Sequence, residues 1–183
     1  HRIPFQMREG IIIDNFFEKE DFKLVQSSMK ETKLYKYENH PDGGKNPENN
    51  FYANVPWVGK RSKLLHKERK DLFQLFWKTF CNKFDKFKGQ QVNLYTYLHL
   101  RLEQDVKDKI HRDDATYSFL IYLSPSKFNC GTVLYDQEDN KILDVKYVEN
   151  RALLFSSGYK HKASSFGNNK NNGRYTFNAF FRL

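Results

Sequence analysis

The sequence predicts a mainly β domain with flanking helices. Three observations carry that expectation. Apolar residues of the first half recur at helical spacing, whereas from Val92 onward they alternate. Six short alternating or apolar runs then follow, separated by turn-rich segments. Helices come first and strands later, an order that suits helices packed on the outside of a β-sandwich or barrel.

The elements read as follows. "GIIIDNFFEKEDFKLVQSSMKET" (10–32) is a short apolar strand and then a helix, started by Asn15 or Glu18, with Leu24, Val25, Ser28 and Met29 as its inner stripe. "NHPDGGKNPENN" (39–50) is turn chemistry throughout and reads as a loop. "RSKLLHKERKDLFQLFWKTFCNKF" (61–84) reads as one amphipathic helix, with Leu65, Leu72, Phe73, Phe76 and Phe80 on one side. "VNLYTYLHLRL" (92–102) puts Leu94, Thr96, Leu98, Leu100 and Leu102 on one face and Asn93, Tyr95, Tyr97, His99 and Arg101 on the other. Further strands are expected at 116–123, 131–136, 142–148, 152–155 and 174–183.

A chain of 183 residues suits one domain, and seventeen Phe and eleven Tyr supply its core. We expect a single domain over 1–183, with residues 1–91 as a strand, supporting helices and a loop, and 92–183 as the β core. Two cysteines, Cys81 and Cys130, are too few for a disulfide framework and suit a reducing compartment. The N-terminal stretch has no secretory apolar core and no run is long enough to span a membrane, so the expectation is cytoplasmic. The net charge of +9 reads first as a solubilising Lys-rich surface. The lysines are scattered over 60–90 and 141–170 rather than gathered in a stripe, which disfavours nucleic acid as a partner without excluding it.

The chemistry concentrates in "IHRDDATYSFLIYLSPS" (110–126). On a strand, His111 and Asp113 point to the same side and can grip one ion. His-x-x-Asp through Asp114 would break that alternation. Imidazole with carboxylate suits a borderline divalent metal. Fifty residues on, "RALLFSSGYKHKASS" places His161 after an apolar strand and a small-residue turn. Two His and one carboxylate occupy one face of an octahedron and leave three positions open. Thirteen residues further, Arg174 opens the last strand. Alternation sets Arg174, Thr176 and Asn178 on one face and Tyr175, Phe177, Ala179 and Phe181 on the other. A buried Arg needs an anion, and its fork fits a carboxylate bidentately. No carboxylate lies on that face, so a ligand is the natural source.

The ordered set "HRD…FSSGYKH…RYT" resembles the motifs of 2-oxoglutarate- and Fe(II)-dependent oxygenases, most closely the prolyl 4-hydroxylase-like branch. "IYLS" resembles that branch's Tyr-Leu-Asn. "CGTVLYD" resembles its Gly-Gly hairpin, with Cys130 in place of the first Gly. "RALLFSSGYKH" resembles its strand leading into the distal His. The likeness covers 92–183 well and 10–32 loosely.

The resemblance implies a double-stranded β-helix (jelly-roll) core braced by the N-terminal helices. It implies Fe(II) held by His111, Asp113 and His161, and 2-oxoglutarate as co-substrate. The far carboxylate would pair with Arg174, assisted by Thr176, with Tyr122 and either Tyr97 or Tyr95 also lining that pocket. O2 would be consumed with release of succinate and CO2, and ascorbate is allowed as an auxiliary reductant. The implied activity is hydroxylation of a prolyl or other residue in a protein or peptide, by a monomer or weak dimer. Two alternatives stand beside it: an oxygenase acting on a free amino acid or other small molecule, and a non-catalytic metal-binding jelly-roll module. The loops at 39–50 and 101–110 are candidates for a substrate rim. His99 reads as a polar rim residue, His66 as solvated, His40 as a loop residue without a partner, Arg61, Arg101 and Arg112 as surface residues, and Cys130 as a small buried hydrophobe.

Overall fold

Two antiparallel sheets, stacked with a helical layer over one of them, make up the computed structural model, which describes residues 10–41, 57–102, 105, 109–126, 130–164 and 173–183. The described strands are β1 (Ile11–Ile13), β2 (Lys60–Arg61), β3 (Asn93–Arg101), β4 (Tyr117–Tyr122), β5 (Thr132–Tyr135), β6 (Lys141–Val145), β7 (Ala152–Ser156), β8 (Lys160–Ala163) and β9 (Arg174–Arg182). The helices are α1 (Lys19–Glu31), α2 (Leu65–Glu68) and α3 (Lys70–Lys83). The larger sheet has the order β1-β7-β4-β9-β3-β2, and the smaller β6-β5-β8. An antiparallel bridge between His111 and His161 adds a one-residue fourth strand to the edge of the smaller sheet. From β3 onward the chain passes back and forth between the two sheets. That winding is the jelly roll expected from the motifs, braced by the helices that precede it.

Alternation explains why the sheet holds both a core and a cavity. On β4, Phe119 and Ile121 join Phe76, Phe80, Phe177 and Phe181 in the cluster that includes helical residues. The packing is aromatic: Phe76–Phe177 ring centroids lie 4.7 Å apart and Phe80–Phe181 4.9 Å. The intervening Leu120 and Tyr122 face the other way and pack with Leu134, Val145, Leu153 and Phe155 between the sheets. Asn150, at φ 63°, ties the N-terminal segment to this body: its side chain accepts from Phe17 N–H at 3.0 Å and donates to Phe17 O at 2.8 Å.

The structure revises two readings and decides between two alternatives for a helix start. Leu24 is exposed, because α1 turns the larger Phe22 inward with Val25, Ser28 and Met29. That helix starts after Glu18 rather than at Asn15. The expected helix over 61–84 is not continuous. Lys60 and Arg61 pair with Leu100 and His99 on β3, and the helix breaks at Arg69 (φ −140°, ψ 73°). Arg69 there donates from Nη1 to Ser28 O at 3.1 Å and to Thr32 Oγ1 at 2.9 Å, so a tertiary tether to α1 overrides the helical period. β8, a short Lys-His-Lys-Ala strand, carried no apolar signal. Of the expected loop at 39–50, residues 42–50 lie outside the described residues, as do 103–104 and 106–108 of the segment 101–110.

Gly131 sits where β5 begins against β6. A Cβ there would collide with the Val145 carbonyl oxygen and stand 2.8 Å from its carbon. Only glycine allows this approach. Gly131→Ala is therefore expected to cost about 2–3 kcal/mol in urea denaturation, whereas Gly158→Ala, whose Cβ would meet only the Ser156 hydroxyl at 3.5 Å, stays within about 0.5 kcal/mol.

Candidate active site

His111, Asp113 and His161 converge, each offering a ligand atom within 4.8 Å of the others. Backbone pairing brings them together. His111 N–H donates to His161 O at 3.0 Å, and His161 N–H to His111 O at 2.8 Å. The imidazoles, fifty residues apart in sequence, thus come to a ring separation of 4.3 Å. His161 Nε2 stands 3.2 Å from Asp113 Oδ2, and His111 Nε2 3.8 Å from Asp113 Oδ1. Two ligands about 2.1 Å from one ion and at right angles are about 3 Å apart, so this spacing fits a metal.

The surroundings orient the ligands. His111 Nδ1 lies 2.6 Å from Lys109 O, which turns Nε2 toward Asp113. The Ser118 hydroxyl donates to Asp113 Oδ2 at 2.7 Å and meets the Ser157 hydroxyl at 2.8 Å. Phe155 packs edge-on to His161 at 4.9 Å. Burial works to raise the Asp113 pKa, but the charge and hydrogen bond of His161, the charge of His111 and the Ser118 hydroxyl outweigh it and hold the carboxyl at about 2. Asp113 is thus an anion at any working pH, as a metal ligand must be. Asp114 instead accepts from Arg182 Nη2 at 2.8 Å, which removes it from the ligand set.

The triad opens onto a cavity of about 840 Å³ whose wall also carries Arg174, Thr132, His99, Arg101 and Asn178. Arg174 is buried, and among the described residues no carboxylate pairs with it. A carbonyl and a hydroxyl position it instead: Nε donates to Cys130 O at 2.8 Å, and Nη2 to Thr132 Oγ1 at 3.1 Å. Its pKa is lowered by burial first and then by the nearby Arg101. The two arginines face each other across β9 and β3, where like charges are unfavourable. Among the described residues, Arg174 therefore offers its charge to the cavity without a carboxylate partner.

Thr132 Oγ1 accepts from Arg174 and also from the Tyr122 hydroxyl at 2.7 Å. Its own hydrogen is thereby left for a ligand. Tyr122 accordingly stands behind Thr132, fully buried, and acts on the cavity through it. Thr176 is buried too, and its hydroxyl donates to Asn178 Oδ1 at 2.6 Å. Tyr97 is not on the cavity wall. It packs with Leu64 and Phe180, under an Arg61 guanidinium 3.7 Å from its ring centroid.

The four residues singled out in the sequence, His111, Asp113, His161 and Arg174, line one cavity, and several residues read as superficial are buried. His99 is a wall residue rather than a rim residue. It bonds Val58 O at 2.6 Å, and burial first, then Arg101, hold its pKa well below the usual imidazole value. It is neutral at neutral pH. His40 has a partner after all, Ser62 O at 3.0 Å, and stacks edge-on to Trp57. Arg61 is buried between Trp57, 4.2 Å away, and Tyr97. His99 and His40 meet partners 41 and 22 residues away and Arg61 meets Tyr97 as well as the nearby Trp57, so only the polar-face alternation of 92–102 hinted at His99 and Arg101. Burial raises the Cys130 thiol to about 11, as suits an unreactive buried hydrophobe.

No protein-family model and no curated protein matches the sequence. Solved structures do. A prolyl hydroxylase from Trichoplax adhaerens, solved in complex with a hypoxia inducible factor oxygen degradation domain peptide fragment, matches with TM-score 0.64 and 15% identity over 94% of this chain and 83% of that one. A Pseudomonas putida prolyl-4-hydroxylase matches with TM-score 0.62 and 13% identity, over 94% and 91%. HygX from Streptomyces hygroscopicus, solved with nickel, 2-oxoglutarate and hygromycin B bound, matches with TM-score 0.64 and 11% identity, over 95% and 83%. At such identities the likeness establishes a shared fold, and the chemistry rests on the residues of the cavity.

Calorimetric Mn(II) titration separates the ligands from their neighbours. Asp113→Ala and His161→Ala are expected to lose measurable binding. Ser118→Ala should weaken it by about tenfold. Asp114→Ala should stay within about twofold of wild type.

Proposed function

We propose that this protein is a 2-oxoglutarate- and Fe(II)-dependent dioxygenase, hydroxylating a prolyl or other residue of a protein or peptide. One observation carries the reading. A His-Asp-His triad and a buried Arg174 without a carboxylate partner among the described residues share one cavity. A metal-chelating dicarboxylate is the ligand that answers both ends at once.

His111, Asp113 and His161 would hold Fe(II), and Arg174 with Thr132 would take the far carboxylate of 2-oxoglutarate. Bound iron supplies the activation of O2, coupled to oxidative decarboxylation of 2-oxoglutarate to succinate and CO2. The chain's own residues do the positioning. Ser118 holds the Asp113 carboxylate, and Lys109 O fixes the His111 ring. The carbonyls of Cys130 and Gly131 aim Arg174, so its fork is ordered before a ligand arrives. Leu120 and Phe180 on the cavity wall limit water there.

A peptide substrate is supported by the partner of the Trichoplax adhaerens protein and by the mouth of the cavity, where Tyr37, Trp57 and exposed Ile110 offer apolar surface. A small-molecule substrate is the second reading, favoured by HygX, which was solved with hygromycin B.

Anaerobic titration of the Fe(II) protein with 2-oxoglutarate tests the shared core of both readings. A weak metal-to-ligand charge-transfer band in the green is expected in wild type and absent in His111→Ala. Arg174→Gln should need at least about tenfold more 2-oxoglutarate to develop it, given the strength of a buried charge-assisted hydrogen bond. Iron binding with no such band at any 2-oxoglutarate concentration would leave a metal-binding jelly-roll module instead.

A further inference from the structure

The register of three strands lays out the floor of the cavity. One face of these strands carries three rungs, Ser118–Phe180–Tyr95, then Leu120–Asn178–Tyr97, then Tyr122–Thr176–His99, of which Phe180, Leu120, Asn178 and His99 line the cavity. Rungs on one face are about 7 Å apart. The first rung carries Ser118, which holds Asp113. The third carries Tyr122, which reaches Arg174 through Thr132. Asn178 therefore lies midway between the triad and the arginine, and it is on the cavity wall.

The orientation of its amide is fixed. Asn178 Oδ1 accepts the Thr176 hydroxyl hydrogen at 2.6 Å, so the NH2 group is the end left to the cavity. Among the described residues no acceptor takes those two hydrogens. Thr176 is 1% exposed and is itself held in the sheet, so this orientation is built into β9 rather than chosen by solvent.

We propose that Asn178 binds the keto-acid end of the co-substrate through its NH2 group, with Thr176 as the positioning residue that sets the amide. The inference rests on the co-substrate proposed above. A dicarboxylate anchored at the triad and at Arg174 must cross the middle rung. In 2-oxoglutarate the atoms between the far carboxylate and the keto group are two methylenes, which accept no hydrogen bond. With the far carboxylate taken by Arg174, the acceptors within reach of Asn178 belong to the keto-acid end.

The test uses the Mn(II)-loaded protein without oxygen, with binding measured by calorimetry for two ligands. One is 2-oxoglutarate. The other is 2-oxobutanoate, which keeps the keto-acid end and lacks the far carboxylate. Asn178→Asp keeps the shape, replaces the donor with an anion, and is expected to weaken both ligands by about tenfold or more. Thr176→Val should weaken both by about threefold, and Thr176→Ser should restore binding, which a merely structural role for the threonine methyl would not do. Arg174→Gln should weaken 2-oxoglutarate alone. Wild-type affinity for both ligands in Asn178→Asp, or a loss confined to 2-oxoglutarate, would overturn the inference. So would equal loss in Thr176→Ser and Thr176→Val. If wild type binds no 2-oxoglutarate, the co-substrate reading itself fails, a result distinguishable from these.

Discussion

Two backbone hydrogen bonds, from His111 N–H to His161 O and back from His161 N–H to His111 O, are the constraint on which the site depends. Among the described residues they make a one-residue fourth strand of the smaller sheet, and they set both imidazoles beside Asp113. Burial of Asp113 is tolerable only because those rings and Ser118 face it. Without the bridge, a buried carboxylate would lack its compensating partners. The same pairing leaves the open side of the triad turned into the cavity, where ligands can arrive.

The opposite end obeys the same rule with the sign reversed. Arg174 is a buried cation held by carbonyls and a hydroxyl rather than by a carboxylate, with Arg101 directly across the strand pair. Carbonyl dipoles aim a guanidinium without neutralising it. The close approach allowed by Gly131 puts the Cys130 and Gly131 carbonyls where Arg174 meets them. Fold and site are thus joined at this hairpin: the packing that needs a glycine also orients the cation.

Much of this was legible in the sequence. The change of period at Val92 marked the β core, and His111, Asp113, His161 and Arg174 carried their order and spacing openly, although Asp113 lies outside any strand and only a one-residue bridge forms at His111. Local pattern failed where distant contacts decide. Leu24 lost its place to Phe22, and one apparent helix divided at Arg69 because that side chain tethers α3 to α1. β8 gave no apolar signal, since an edge strand of Lys-His-Lys-Ala is defined by its partners. His99, His40 and Arg61 looked superficial and are buried, because the groups that cover them come from other segments. Asn178 lay on the expected polar face. Its orientation became visible only with the Thr176 hydrogen bond.

The most direct test of the account is an anaerobic crystal structure of the protein grown with Mn(II) and 2-oxoglutarate. The account predicts a metal ligated by His111, Asp113 and His161 at about 2.1–2.2 Å. It also predicts that the keto-acid oxygens share that metal while the far carboxylate sits within about 3 Å of Arg174 Nη1 and of Thr132 Oγ1. Metal bound elsewhere, or a dicarboxylate that leaves Arg174 uncontacted, would contradict it.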